Sequence, residues 1–254
     1  MSWILIRLVG KNNTKSYLQN DLKMSLRNLK LELRTYADPN RAKLLQGFFK
    51  TGVGEYGEGD IFIGVTVPDS RKIVRKYSDI ALKDVLELLQ SRIHEERLVA
   101  LLLMVDKFSR DDSKRSVIYK AYIKNIKKIN NWDLVDSSAP KIVGKYLLDK
   151  PRSILYKLAK SNSVWKKRVA VIATFSFIEN NQLEDTIAIS KILLRDRHDL
   201  IHKAVGWALR EVGKINLKEE EDFLKLYCKI MPRTMLRYAI EKFPEPKRKK
   251  YLSL

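Results

Sequence analysis

The sequence predicts an all-α fold, an α-solenoid of HEAT-like or armadillo-like helical repeats with a concave basic groove. Three observations carry this. From Leu22 onward apolar residues recur at steps of three and four, as in Leu26, Leu29 and Leu33 or Ile80, Val85, Leu88 and Leu89, the pattern of amphipathic helices. Runs that alternate apolar and polar residues, as strands do, are almost absent. Around the middle of the chain the helices pair at a loose spacing of about 35 to 40 residues, the period of HEAT and armadillo repeats, although no strict sequence repeat is visible. A compact helical bundle is the alternative architecture.

Residues 1–9, Met1-Ser2-Trp3-Ile4-Leu5-Ile6-Arg7-Leu8-Val9, are apolar but lack the basic start and small-residue cleavage site of a secretory signal. No segment reaches membrane-spanning length, so the expectation is a cytoplasmic protein that does not enter a membrane. Residues 1–23 read as an N-terminal extension whose order the sequence leaves open, and 24–254 as one repeat domain, since no Gly/Ser-rich or Pro-rich stretch marks a linker. Breaks at Asp38-Pro39-Asn40, Pro68-Asp69, Ser109 to Ser113, Lys150-Pro151, Asn180-Asn181, Arg197-His198-Asp199, Pro232 and Pro244 carry capping or helix-starting residues and divide the chain into roughly twelve helices.

The segment Phe48-Phe49-Lys50-Thr51-Gly52-Val53-Gly54-Glu55-Tyr56-Gly57-Glu58-Gly59-Asp60 departs from that rhythm. Its glycines permit positive φ and a close backbone approach, so it is either a phosphate-cradling loop or a tight connection between helices. It lacks a Walker lysine-serine ending and a preceding strand, which argues against nucleoside triphosphates.

Fifty Lys and Arg against thirty Asp and Glu give a net charge of +20, which makes a polyanion, nucleic acid above all, the first partner to consider. A genome-wide lysine bias is the competing explanation. Cys228 is the only cysteine, so intramolecular disulfides and cysteine-based zinc clusters are ruled out, and its apolar surroundings make it a buried structural residue. His94, His198 and His202 form no HExxH and have no ligand partners at metal spacing, and no nucleophile elbow is present. The reading therefore needs neither metal nor cofactor.

What remains is carboxylate, aromatic and cation. In Asn130-Asn131-Trp132-Asp133-Leu134-Val135-Asp136 an asparagine caps a helix, Asp133 sits in its first turn, and Trp132 and Asp136 share a face one turn apart. In the helix from Asp199 to Lys214, Lys203, Trp207, Arg210 and Lys214 recur at steps of four, three and four. That stripe is either a phosphate-contacting face beside an aromatic platform or a solvated basic face with a core Trp. Gly206 inside this helix calls for close packing or close ligand approach. In Trp165-Lys166-Lys167-Arg168-Val169-Ala170-Val171-Ile172, Trp165 reads as core, and Arg168 as a phosphate contact, an active-site contact or a plain surface cation.

Together NNWDLVD at 130–136, WKKRVAVI at 165–172 and HKAVGWALREVGK at 202–214 resemble the AlkD-like DNA alkylation repair family, as do the segment at 48–65 and HEERLVALL at 94–102. The resemblance runs from about Leu26 to Tyr251 and implies a HEAT-like repeat DNA glycosylase acting, as a monomer by default, on double-stranded DNA that contains alkylated purines. It implies that Trp132 and Asp136 are the active-site aromatic and carboxylate, Arg168 the active-site arginine and Trp207 a second cleft aromatic. Arg210 and Lys214 match positions that contact the DNA backbone, with Lys203, Lys50 and Phe48 as further DNA-facing candidates. Excision of purines alkylated at N3 or N7 then needs no strong general acid, because the leaving base is already cationic, and Asp136 would stabilise the positive charge that develops on the sugar. The open groove implies that the lesion is handled from the backbone side. The alternatives are a non-catalytic DNA-binding helical-repeat protein and a HEAT-type protein scaffold.

Overall fold

The structure, a computed structural model, describes residues 25–253; the expectation for residues 1–23 lies outside them. The fold is all-α. The chain divides into two compact units between Lys107 and Phe108. The division falls inside a continuous helix, His94–Arg110, so no linker composition accompanies it.

The first unit contains α1 (Leu26–Thr35), α2 (Pro39–Phe48), α3 (Val67–Lys76), α4 (Leu82–Leu88) and the greater part of α5 (His94–Arg110). The caps follow the sequence: Ser25 Oγ accepts from the Asn28 amide, Asp38 Oδ1 from Asn40 and Arg41, and Thr66 Oγ1 from Asp69. The segment between α2 and α3 is held by the first turns of α5. Glu95 accepts hydrogen bonds from the amides of Ile63, Gly64 and Val65 at 2.8–3.2 Å, and Asp60 bonds both His94 Nδ1 at 2.9 Å and Arg97 Nη2 at 2.6 Å. The His94 ring stacks on Phe62. Gly64, at φ +83°, lies where a Cβ would fall 2.1 Å from the Asp38 carbonyl oxygen, so no other residue fits there. The HEER sequence is thus the clamp that shapes the glycine-rich connection. An isolated parallel bridge, Ile61 to Ile93, closes it.

The second unit continues with α6 (Arg115–Lys124), α7 (Trp132–Ala139), α8 (Ser153–Ala159), α9 (Val164–Ala173), the short α10 (Phe175–Ile178), α11 (Glu184–Leu193), α12 (Asp199–Ile215), α13 (Leu217–Tyr227), α14 (Arg233–Ala239) and α15 (Glu245–Leu252). The expected breaks at Pro151, Asn181, His198, Pro232 and Pro244 all fall between helices or at their caps. Segments outnumber the dozen expected, in part because the run from Val164 to Ile178 breaks at Thr174. Helices α7, α9, α12 and α14 pack side by side as one layer, and α8 and α11 pack together behind α9 and α12. The four helices of that layer start at Trp132, Val164, Asp199 and Arg233, a recurrence of roughly 35 residues. Cys228 is buried.

Two tight approaches fix this layer. A π-helical turn, Pro140–Gly144, extends α7, and a Cβ on Gly144 would meet the Ala173 carbonyl oxygen of α9 at 2.2 Å. Gly206 of α12 faces α14, where a Cβ would lie 2.4 Å from the Met235 carbonyl oxygen. Close helix packing therefore explains this glycine. Gly206→Ala is expected to destabilise the fold by about 1–3 kcal/mol, the usual range for overpacking, measured by denaturant unfolding. Unchanged stability would mean that α12 and α14 separate freely.

Candidate functional site

Asn131, fully buried, accepts the Trp132 amide at 2.8 Å and starts α7, while Asp133 spends its Oδ1 on the Leu134 amide. Asp133 is thereby a local structural residue. Leu134, Val135, Ser138 and Ala139 face the core, which leaves Trp132 and Asp136 half-buried on the opposite stripe of α7. Their four-residue spacing places them on one face, one turn apart.

Arg168, buried at 5% exposure on α9, meets Asp136 in a two-pronged pair: Nε donates to Oδ1 at 2.8 Å and Nη2 to Oδ2 at 2.7 Å. Its remaining nitrogen, Nη1, donates to the Leu200 carbonyl in the first turn of α12 at 2.7 Å. One guanidinium therefore ties three neighbouring helices of the layer. The Asp136 side chain is the more exposed member, 18% against 6%, so the pair is a dipole with its negative end toward solvent. Burial pushes the Asp136 carboxyl above its ordinary value, and Arg168 opposes that shift. Each Asp136 oxygen keeps a further lone pair after accepting from Arg168.

On α12, Ile201, Ala204, Val205, Ala208, Leu209 and Val212 are buried. Lys203, Trp207 and Arg210 are half-buried and Lys214 exposed along the other side. Trp207 meets Phe175 edge to face at 4.6 Å, so it lies at the edge of the core. Lys203 pairs with Asp199 at 2.8 Å. The stripe is organised by a residue that sequence reading missed, Glu211. Its carboxylate accepts from Trp207 Nε1 at 3.1 Å, from Arg210 Nε at 3.3 Å and Nη2 at 3.2 Å, and from Lys214 Nζ at 2.7 Å. Arg210 also pairs with Glu241. The signal was available, because Glu211 stands four residues after Trp207 and three before Lys214, both helical neighbours.

Lys214→Ala is expected to weaken binding to damaged and undamaged duplex alike and to lower the slope of log affinity against log salt by about 1. Fluorescence anisotropy over a salt series checks this. A loss confined to damaged DNA would remove Lys214 from backbone contact.

Trp165 is half-buried, which corrects the reading of it as core. It stands at the second position of α9, where only the following turns, from Arg168 to Ala173, are buried. Phe48 and Lys50 belong to the first unit. Phe48 is 65% exposed and packs edge to face on Phe49, and Lys50 is exposed with φ 51°. The loop after them directs amides to its own acids, Gly52 to Glu55 at 2.9 Å and Gly54 to Glu58 at 3.0 Å. Those two amides are engaged by carboxylates, which favours a self-contained connection over a phosphate cradle. Among the described residues no three His, Cys, Asp or Glu side chains gather as a metal site, and no helix is long and apolar enough to cross a membrane.

Repeated helix pairs with a layer that carries an ion-paired carboxylate, half-buried indoles and basic side chains define a helical-repeat protein with a cationic, aromatic face. The chain belongs to the DNA alkylation repair enzyme family, whose model matches residues 29–243. Among solved structures it is similar to a "Predicted DNA alkylation repair enzyme from Enterococcus faecalis", with a TM-score of 0.65 at 20% identity over 82% of this chain and 97% of that one. At that identity the likeness speaks for the fold. No curated relative matches. Family membership gives the chain a role in DNA alkylation repair.

Proposed function

We propose that the protein is a monofunctional DNA glycosylase that hydrolyses the N-glycosidic bond of purines alkylated at N3 or N7 in double-stranded DNA, acting as a cytoplasmic monomer without metal or cofactor. The observation that carries this is the Asp136 carboxylate, held by Arg168 with its negative end outward and Trp132 one turn away. A purine alkylated at N3 or N7 departs as a neutral base, because its bond to the sugar breaks with the electron pair moving onto an already cationic ring. Positive charge then develops on the sugar. A fixed carboxylate stabilises that charge and orients the attacking water, and the faces of Trp132 and Trp207 attract the same cation. Arg168 works against the cation as a charge, yet it locks the carboxylate in place. The arrangement stabilises the transition state without reorganising at the moment of reaction. Arg210, Lys214 and Lys203 supply the backbone contacts that hold the duplex from its sugar-phosphate side, and Phe48 and Lys50 of the first unit are separate DNA-facing candidates.

Selectivity in this reading comes from charge on the lesion. Duplexes carrying 7-methylguanine are expected to release free base, whereas duplexes carrying O6-methylguanine, alkylated but neutral, are not. Comparable release from both would contradict charge-based selection. The non-catalytic DNA-binding reading draws on the same pair, since Arg168 occupies one lone pair on each Asp136 oxygen. It predicts salt-sensitive DNA binding with no base released.

A further inference from the structure

Between the α11–α12 connection and the start of α9 lies a cavity of about 450 Å³, outside the Asp136 and Glu211 groups. Asn162, Lys167, Arg195, Arg197 and His198 line it, with Asp196 as the only acid in its lining. Asp196 is already committed: its carboxylate takes Lys167 Nζ at 2.6 Å and the His198 amide at 2.9 Å, and its carbonyl oxygen takes His202 Nε2 at 2.6 Å. Arg195 and Arg197 differ from Arg152, Arg168 and Arg210, each of which is bound to a carboxylate. Arg195 is exposed and Arg197 lies at the surface beside it, and neither has a hydrogen bond or ion pair among the described residues. His198 Nδ1 accepts the Leu200 amide at 3.1 Å as the cap of α12, so Nε2 carries the proton and is a further donor. Burial keeps this imidazole below its ordinary value, which favours the neutral form.

We propose that this cavity is a phosphate-binding site in which Arg195 and Arg197, with His198 beside them, take one backbone phosphate of the DNA duplex. Two unpaired guanidiniums flanking a recess are suited to the bidentate recognition of phosphate oxygens, and the neutral imidazole adds a donor without further desolvated charge. The site adjoins the Asp136 network along the chain, because Lys167 precedes Arg168 and His198 stands two residues before Leu200, whose carbonyl Arg168 holds. A phosphate seated here would anchor the strand next to the helix ends that the Arg168 pair ties together. The inference rests on the reading of this protein as one that binds DNA, and not on its releasing a base.

The test is the double variant Arg195→Ala/Arg197→Ala in the full chain, titrated with a short undamaged duplex over a salt series. Affinity at about 0.1 M salt is expected to fall roughly tenfold and the slope of log affinity against log salt to drop by about 1, the change that follows when one phosphate fewer is neutralised. The thermal midpoint should not move, since neither arginine holds another part of the fold in place. Unchanged affinity and slope would overturn the proposal. A titration with inorganic phosphate followed by ³¹P NMR separates the two sources of this ligand. Arginine-dependent binding of inorganic phosphate with duplex binding unaltered would make the site one for free phosphate and overturn the DNA assignment. If wild type releases no base but the slope changes as expected, the glycosylase reading fails and the phosphate site stands.

Discussion

Asp136→Asn is expected to slow release of 7-methylguanine from duplex DNA by about 10²- to 10³-fold at saturating substrate, the range seen when one fixed electrostatic group is removed from a transition state. The amide keeps the size of the carboxylate and one acceptor for the Arg168 guanidinium but loses the negative charge that faces solvent. Affinity for undamaged duplex should hold or rise, because the basic stripe on α12 is untouched and a repelling charge is gone. Single-turnover release against duplex affinity separates the two. Equal release by variant and wild type would remove Asp136 from the mechanism.

The pH dependence carries the same signature. Release requires ionised Asp136, and burial sets its pKa above the ordinary 3.8, so activity should fall on acidification at a pH higher than a free carboxylate would give. The sign for stability is opposite. A folded pKa above the unfolded one means that the contribution of Asp136 to stability is greatest at low pH and is lost as pH rises through the folded value. At neutral pH the ionised carboxylate thus weighs on the fold, as expected of a group kept for chemistry rather than for packing.

Arg168→Met is expected to have the largest effect on the fold itself, about 3 kcal/mol of lost stability, because it strands a largely buried carboxylate and the Leu200 carbonyl. For a chain of this size that lowers the thermal midpoint by roughly 6–12 °C. Without its counter-ion the Asp136 pKa should climb further, moving the acidic limb of the release profile upward. Arg168→Lys keeps the charge but not the fork, so it should restore part of the pH limb and little of the stability. A midpoint within about a degree of wild type, with an unmoved limb, would show that the pair is incidental.

The helices were legible because their punctuation is local. Asp38, Pro68, His198, Pro232 and Pro244 cap or start helices where the sequence places them, and the Trp132–Asp136 spacing alone puts both on one face. What depends on distant partners was not legible. The residues alone left Arg168 open between roles, and its pairing with Asp136, 32 positions away, follows from how α7 and α9 pack. The Leu200 carbonyl carries no side-chain signal, and the apolar periodicity does not mark the π-helical turn after α7. The HEER residues read as part of a resemblance, while Asp60, His94, Glu95 and Arg97 hold the glycine-rich connection through bonds spanning some thirty positions. Trp165 read as core because indoles usually are, but at the second position of α9 it precedes the buried turns.

Chromatographic detection of free base, after incubating purified protein with methylated duplex DNA, bears most directly on the proposed activity. A monofunctional glycosylase releases 7-methylguanine or 3-methyladenine and leaves the DNA strand intact at an abasic site. Absence of any released base, with the duplex still bound, would contradict the glycosylase and leave a DNA-binding protein in its place.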